Sequence, residues 1–566
     1  MKRIMLRNNP YLNVFFCASV VLYLMFFMHL MMFNPGGRGL YLPGNIIAWG
    51  WAGFVCALIW LLRIKAKPNF SNSFRWLFLA CFLFSLPLFK ATSMDAFIVA
   101  YPQILAIWVG CFFYFSINQV RLTEKQLTVI FLAFSFSGLV ESILVYIGIF
   151  IPSVLPDTQQ ILIQRYGNAV GVFQQANVTA SFLASTLGCM LYQLAINKSA
   201  YPIVRLRKIK DPYLALTLIV TLSALVLTQS RIGMLSSFLT AGLLFLLLLC
   251  HRRLMFTTPF RCFCVGLVYL CGVTLGWFLL KPSLSQAFTH AGSNHQRILT
   301  LWNTWELIKE NPFRGYGLGM FGTVFQRFMS DYPVNPSTEL MAHPHNEILY
   351  LWLEGGVLAV IAMVALFIFG CLLISQSKTM IQYILLLTTV PILLHTQVEF
   401  PFYSSAPHLL ITILFLAMCE NCSGQLVVSD QPATLFYKRC SIIISLVAFT
   451  ATIFIFSCLY PAKILTSFEL QKINNPELIK ELYVPFIMQE RYKHDLMLLK
   501  LVEFKKNPNE ELLNLFVTQN RDWLRYHSDT DMFYNQYRIL IYLGRYDEAY
   551  SYKFKAEKQF PWDPRF

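Results

Sequence analysis

Long apolar runs alternate with short polar connections over most of the chain. A helix that crosses a bilayer needs about 20 mainly apolar residues, and its backbone hydrogen bonds are all satisfied within the segment. The pattern predicts about thirteen such helices, at 11–33, 44–62, 74–91, 97–117, 126–151, 169–196, 212–229, 233–250, 261–280, 346–373, 380–400, 403–420 and 441–460. We therefore predict an all-α polytopic membrane protein whose transmembrane domain spans residues 1–460.

Composition and charge agree with that prediction and orient the chain. Of 566 residues, 56% are hydrophobic and 13% are charged, which excludes an ordinary soluble globular protein. Lys and Arg concentrate in alternate loops, so the positive-inside rule places the N-terminus inside. An odd number of spans then leaves the loop 281–345 and the tail 461–566 outside. Most of the +16 net charge lies in the inside loops, so we expect no nucleic-acid partner.

The tail 461–566 differs in character from the membrane part, because charged residues are much more frequent in it. Its pattern predicts short amphipathic helices that form a small outside domain. Residues 533–560 resemble one helix-turn-helix unit of the tetratricopeptide kind, and one unit is a weak signal. A small helical domain and a docking site for a protein partner are both compatible with this stretch.

The most reactive group of side chains lies where the loop 281–345 meets an apolar helix. The stretch Met341–Gly356 reads MAHPHNEILYLWLEGG, and it brings His343, His345, Asn346 and Glu347 together at the membrane edge. A neutral imidazole is suited to removing a proton from an attacking hydroxyl. A lone histidine at this position would more often be a capping or interfacial residue.

Other polar side chains are predicted at the same outer edge, and each has a structural alternative. Gln175 and Asn177 begin a span, where carboxamides bind hydroxyl or phosphate oxygens or simply start a helix. Arginines suit a lipid diphosphate, although they also extend towards lipid headgroups. Glu399 and Tyr403 either contact substrate or belong to a re-entrant turn. The arginines of this outer group are Arg165, Arg231 and Arg297.

Within the loop 281–345, the spacing of Ile298, Leu301, Trp305 and Ile308 predicts an amphipathic helix over 293–310. Asn311-Pro312 ends it. The Gly-x-Gly-x-Gly that follows, at 315–319, lacks the strand and the Lys-Ser/Thr of a phosphate-binding loop. We interpret it as a tight turn that lays the loop back on the membrane.

Two further features bear on function. The fourteen cysteines lie in spans or inside loops, and the pairs Cys262/Cys264 and Cys419/Cys422 each lack a second ligand pair, so neither disulfides nor a metal site is predicted. Glu141 lies inside a span, where a carboxyl group is costly and either serves function or pairs with another helix.

Several of these motifs resemble the O-antigen ligase/O-antigen polymerase superfamily. The resemblance rests on His345-Asn346 followed nine residues later by Gly356, on Ser230-Arg231-x-Gly233, on Gln175-Ala-Asn177, and on the long loop with its Arg-led helix and glycine turn. It covers about 160–420. Within this superfamily, the long tail is similar to that of bacterial O-oligosaccharyltransferases that glycosylate pilins and other periplasmic proteins.

The resemblance implies a GT-C-like enzyme of the bacterial inner membrane whose active site and tail are periplasmic. It would transfer a glycan from undecaprenyl diphosphate to a Ser or Thr hydroxyl of a pilin-like or periplasmic protein, without a metal or other cofactor. His345 would be the essential histidine, with Gln175, Arg231 and Arg297 holding substrate. The chain departs from the family at Ala359 and at Phe400, where a Tyr is often found, and Tyr403 is a candidate substitute.

Three other functions remain open at this point. The nearest is an O-antigen ligase or polymerase with a lipid A or glycan acceptor. A transporter of lipid-linked glycan would need polar residues along a path through the bilayer, and the spans carry few. A structural assembly protein that docks through its tail would leave the polar group at the outer edge unexplained.

Overall fold

The structure, a computed structural model, describes residues 10–32, 34, 37, 39–166, 170–196, 204–250, 259–280, 291–331, 339–422, 434–471 and 475–566. The chain is helical throughout this part, and no strand forms in it. Up to residue 310 the helices are α1 Pro10–Met25, α2 Pro43–Leu62, α3 Asn72–Ser85, α4 Met94–Ile117, α5 Glu124–Phe150, α6 Asp157–Tyr166, α7 Ala176–Ala195, α8 Val204–Leu227, α9 Arg231–Cys250, α10 Pro259–Leu279 and α11 Ala291–Glu310.

Thirteen further α-helices follow in the described part of the chain. They are α12 Phe321–Asp331, α13 Glu347–Gly355, α14 Val357–Gln376, α15 Met380–His395, α16 Pro401–Ser404, α17 Ala406–Asn421, α18 Leu435–Ser457, α19 Leu459–Glu469, α20 Leu478–Glu481, α21 Gln489–Lys506, α22 Glu510–Trp523, α23 Thr530–Tyr542 and α24 Tyr546–Gln559. Short 3-10 turns occur at Phe27–His29, Gly39–Tyr41, Leu86–Lys90, Pro152–Val154 and Phe486–Met488.

The predicted fold class is confirmed. Among the described residues, eleven helical segments are long and apolar enough to cross a membrane, and α15 and α17 are two shorter apolar helices. Each of the thirteen predicted runs overlaps one of these segments, with different bounds. The helix predicted over 293–310 forms as α11, and it ends at Glu310, before Asn311-Pro312. Helix α12 was not predicted.

Helix α7 lies at the centre of the bundle, where 94% of its apolar window is buried. It packs against α5, α8, α9 and α15. Its sequence, ANVTASFLASTLGCMLYQLA, is rich in small residues, which allow neighbouring helices to approach closely. Two of the predicted site residues lie at the start of this central helix, Gln175 as its N-cap and Asn177 in its first turn, so their position is fixed by packing on several sides.

The single helix predicted over 346–373 was wrong, because Gly356 divides the run into α13 and α14. Gly356 has φ 65° and ψ −150°, a conformation that is essentially restricted to glycine. A Cβ atom there would lie 2.4 Å from the carbonyl oxygen of Phe313. That carbonyl accepts a hydrogen bond from the N–H of Val357 at 3.1 Å. The break therefore depends on a backbone contact with the preceding loop.

Glu141 is a helix-pairing group in this structure. Its Oε1 lies 3.0 Å from His29 Nδ1, and its Oε2 accepts a hydrogen bond from the N–H of Val172 at 3.2 Å. The carboxylate thus joins α5 to the end of the first span and to the segment that precedes α7.

The tail contains two helical pairs, α21 with α22 and α23 with α24, and the second pair occupies the predicted helix-turn-helix stretch. The tail also contacts the membrane helices directly. Lys493 Nζ lies 2.8 Å from Asp95 Oδ1, and Tyr526 Oη lies 2.8 Å from Ser93 Oγ. Ser93 is the N-cap of α4. The division of the chain at residue 460 remains a prediction.

Replacing Gly356 tests whether the break between α13 and α14 is built into the backbone. Gly356→Ala should lower the Tm of the purified protein by about 2 °C or more, because a side chain is strained at this φ and clashes with Phe313. Gly370→Ala is the matched control, since nothing lies within 4 Å of a Cβ added at that position in α14. Equal Tm values for the two variants would contradict this account.

Candidate active site at the end of the membrane helices

The carboxylate of Glu399 joins three polar segments of the chain. Glu399 is 5% exposed and lies just beyond the end of α15. Its Oε1 accepts hydrogen bonds from Asn177 Nδ2 at 2.6 Å and Arg297 Nη2 at 3.0 Å. Its Oε2 accepts one from Gln175 Nε2 at 2.9 Å and lies 3.2 Å from His395 Nε2. Both oxygens are therefore satisfied, as a buried carboxylate requires.

Glu399 is held in its charged form by these neighbours. Burial alone would raise the pKa of Glu399, but the contact with His395, the charge of Arg297 and the hydrogen bond from Asn177 together lower it below the ordinary value. His395 is itself fully buried, and its Nδ1 lies 2.9 Å from Ser181 Oγ on α7. The carboxylate is thus a fixed negative charge between α7, α11 and α15.

Arg231 is the first residue of α9, and its side chain is exposed. A Cβ atom added at Gly233 would lie 2.5 Å from Ala180 Cβ, so the first turn of α9 contacts α7 near its N-terminal end. Arg231 therefore lies at the same end of the bundle as Glu399. In the described part of the chain, it is not one of the hydrogen-bond donors to Glu399.

The loop that carries the two histidines is tied to the segment after α15. The N–H of Glu347 donates to the carbonyl of Thr396 at 3.0 Å. Asn346 is the N-cap of α13, and its Oδ1 accepts from the N–H of Leu349 at 3.0 Å. Asn346 was predicted to bind substrate, and the structure gives its side chain a capping role.

His343 is buried among aromatic rings, with ring centroids 4.5 Å from Tyr350 and 4.9 Å from Phe400. Its Nδ1 accepts from the N–H of His345 at 3.0 Å, so in the neutral ring the proton is on Nε2, 3.3 Å from Glu347 Oε2. Tyr403 Oη donates to the other Glu347 oxygen at 3.2 Å. His343, Glu347 and Tyr403 thus form one chain of polar contacts.

His345 has φ 58°, an uncommon conformation for a residue other than glycine. Burial lowers the pKa of its imidazole from 6.5 to about 4. Glu399 opposes this shift, whereas Arg297 and His343 reinforce it. Nδ1 of His345 is buried and has no hydrogen-bond partner among the described residues. The ring is therefore neutral at physiological pH and has a nitrogen that no described group occupies.

The glycine turn at 315–319 contacts the C-terminal end of α13, the helix that follows the histidine loop. The N–H groups of Tyr316 and Gly317 donate to the carbonyls of Leu353 and Glu354, both at 2.9 Å, and so cap the end of α13. Glu354 is buried, and its Oε1 accepts from the N–H of Phe321 at 3.1 Å. As interpreted from the sequence, the stretch is a turn, and it fixes α13 behind the histidine loop.

The structure brings most of the predicted site residues to one end of the bundle. Gln175, Asn177 and Arg297 meet at Glu399. His345 is close enough to Glu399 and Arg297 for their charges to act on its pKa. The side chain of Arg165, on α6, lies outside the described residues. The catalytic and binding roles assigned to these residues remain predictions.

Sequence reasoning missed His395, Tyr350 and Gln103. His395 precedes Glu399 by four residues, the spacing at which side chains meet on one helix face, so its contact had a detectable signal. Gln103 Nε2 donates to Tyr350 Oη at 2.8 Å. That contact joins α4 to α13 across 247 residues, and no local pattern indicates it.

The fold and the site together define a polytopic membrane protein with a charged polar centre at one end of its helices. The family model described as O-antigen ligase matches residues 216–364, and the model described as virulence factor membrane-bound polymerase, C-terminal, matches residues 383–566. The first match contains Arg231, Arg297 and His345. The second contains Glu399 and runs through the last spans into the tail.

A similar protein is an O-antigen ligase from Salmonella typhimurium (strain LT2), with 39% identity over 70 residues. The aligned region is 12% of this chain and 17% of that protein. The two family matches and this relative together support the O-antigen ligase superfamily. The chain matches only a small part of the relative. The activity, substrates and partners of the present protein are therefore matters for proposal.

Substitution of Asn346 tests whether it acts as a helix cap. Asn346→Ala should reduce the free energy of unfolding by about 1 kcal/mol, because the N–H of Leu349 loses its acceptor. Asn346→Asp keeps an acceptor oxygen and should restore most of the Tm. If Asn346→Asp is as unstable as Asn346→Ala, Asn346 has another role.

Proposed function

We propose that this protein transfers a glycan from undecaprenyl diphosphate to a Ser or Thr hydroxyl of a pilin-like or other periplasmic protein. In this proposal the site faces the periplasm from the bacterial inner membrane. The observation that carries it is the pairing of a neutral histidine, His345, with a cation, Arg297, that a buried carboxylate holds in place. A base and a cation at a membrane edge are what transfer from a lipid diphosphate requires.

Arg297 and Arg231 hold the diphosphate in this proposal. Arg297 Nη2 is bonded to Glu399, and 37% of the side chain remains exposed. A guanidinium fixed at one nitrogen presents its others in a defined direction, which suits the oxygens of a phosphate. Arg231 lies at the start of α9, where the helix dipole adds positive potential.

The reaction is a displacement at the anomeric carbon of the glycan. The acceptor hydroxyl oxygen attacks this carbon, and the bond to the diphosphate oxygen breaks with its electron pair on undecaprenyl diphosphate. His345 accepts the hydroxyl proton, and the arginines stabilise the leaving group. Attack from the face opposite the diphosphate inverts the configuration.

The remaining residues position these groups. Glu399 holds the guanidinium of Arg297, and Gln175 and Asn177 hold the carboxylate of Glu399. His343 accepts the backbone N–H of His345 at 3.0 Å, and Glu347 holds His343. Burial raises the pKa of the Tyr403 hydroxyl well above 10, so this group stays protonated and donates to Glu347.

The closest alternative is an O-antigen ligase or polymerase that uses a lipid A or glycan acceptor. The matches to the O-antigen ligase and polymerase models favour this alternative as much as they favour transfer to protein. A protein acceptor is favoured by the two helical pairs of the tail, which provide a surface beside the site. The identity of the acceptor therefore decides between the two.

Intact-mass analysis of a co-expressed pilin tests the acceptor and the base together. In cells that make a lipid-linked glycan, the wild type should add a glycan mass to the pilin. His345→Ala should abolish the addition. His295→Ala is the matched control, because His295 is an exposed residue on α11 two positions from Arg297. An unmodified pilin with wild-type enzyme, together with modified lipid A, would establish the alternative.

The pH dependence of kcat/KM tests the state of His345. Its pKa of about 4 keeps the basic form dominant above about pH 5, so activity should be flat from pH 6 to 8 and fall only in more acidic solution. Arg297→Gln removes a charge that lowers this pKa, so the acid limb should move to higher pH. Glu399→Gln removes a charge that raises it, so the limb should move lower.

These two shifts are compared on the pH axis, so a general loss of activity does not produce them. If the acid limb of the pH profile lies at the same pH in wild type, Arg297→Gln and Glu399→Gln, then His345 is not the titrating base.

A further inference from the structure

Helix α11 has two apolar faces, and only one of them is covered by protein. On the covered face, Leu307 and Ile308 are buried in one apolar cluster with side chains of α12 and α13. On the opposite face, Ile298 is 65% exposed, Trp302 is 63% exposed, and Trp305 is 39% exposed. These three residues have the spacing i, i+4 and i+7, so they form one stripe over two turns.

The stripe continues to the start of a membrane helix. The ring of Phe313 is 75% exposed, and its carbonyl is bonded to the N–H of Val357, the first residue of the candidate span α14. Phe313 therefore lies at the depth at which that span begins. Trp305 packs edge-to-face on Trp352, whose Nε1 donates to the carbonyl of Pro312 at 3.0 Å.

Positive charges border the same surface. Lys90, at the end of the third candidate span, and Arg314 are both exposed and close enough for their charges to repel one another. Neither forms an ion pair with any described residue. Beside Lys90, Phe89 is also exposed. Aromatic residues with cations at this depth are typical of the level of lipid headgroups.

We propose that the surface formed by Ile298, Trp302, Trp305, Phe313, Lys90 and Arg314 lies in the headgroup region of the bilayer and binds anionic phospholipid. Helix α11 is not among the candidate spans found in the described residues, and its apolar exposure is confined to one stripe. It therefore lies along the membrane surface and does not cross the bilayer. The two cations bind the phosphate of the lipid.

This surface also connects the bilayer to the site. Arg297 and Trp302 lie on the same helix, so the depth of α11 in the interface sets where the guanidinium meets Glu399. This connection rests on the proposed function, whereas lipid binding by the surface does not. A lipid-binding result therefore stands even if no transfer activity is found.

Quenching by brominated lipid tests the position of α11. The full-length protein is placed in nanodiscs of phosphatidylethanolamine and phosphatidylglycerol, with or without bromine on the upper acyl chain. The Trp302 contribution is the emission of wild type minus that of Trp302→Phe. The brominated lipid should quench this contribution strongly. Trp562→Phe is the control, since Trp562 packs on Phe560 in the tail and its contribution should be unaffected. If the Trp302 contribution is not quenched, the proposal is overturned. The same holds if a protein partner covers Trp302 and shields it from the lipid.

Native mass spectrometry tests the headgroup site. Wild type should retain phosphatidylglycerol adducts, and Lys90→Gln/Arg314→Gln should lose most of them. Lys553→Gln/Lys555→Gln removes the same charge from the tail and should retain them. Equal retention by the two double variants overturns the assignment of Lys90 and Arg314 to lipid.

Discussion

The buried carboxylate of Glu399 is the interaction on which this site depends. A charge in such an environment is tolerated only when its hydrogen-bonding capacity is filled, and loss of a partner leaves it uncompensated. The partners come from the start of α7, from α11 and from the end of α15. Because α7 is buried on several sides, Glu399 is fixed relative to the centre of the bundle. Arg297 is in turn fixed relative to Glu399.

A second constraint fixes the position of the histidine loop relative to the Glu399 carboxylate. Gly315 and Gly356 lie in backbone contact, since a Cβ at Gly315 would be 2.5 Å from the nitrogen of Gly356. This contact ends α13 and determines where the helix lies, and Asn346 caps its other end. His345 precedes that cap with a positive φ. Its ring position therefore follows from both ends of a nine-residue helix.

The sequence predicted elements that depend on local composition and missed those that depend on distant contacts. The apolar runs predicted the membrane helices because a bilayer requires each span to satisfy its own backbone. The division at Gly356 depends on the carbonyl of Phe313, forty-odd residues away, so an uninterrupted apolar run gave no sign of it. Glu399 was recognised as a candidate, but its partners come from helices separated by as many as 224 residues. Helix periodicity carries no information about such pairings.

The position of the tail bears on how an acceptor would be selected. Ser528 Oγ donates to the carbonyl of Gly322 at 3.4 Å, and Arg327 Nη2 donates to the carbonyl of Arg525 at 3.0 Å. Gly322 and Arg327 lie on α12, which packs against α13. The tail thus contacts α12 directly, and α12 in turn packs against the helix that follows His345. On the proposed function, a protein held by the tail would present its hydroxyl within a limited range of positions, so geometry as well as affinity would determine which residue is modified.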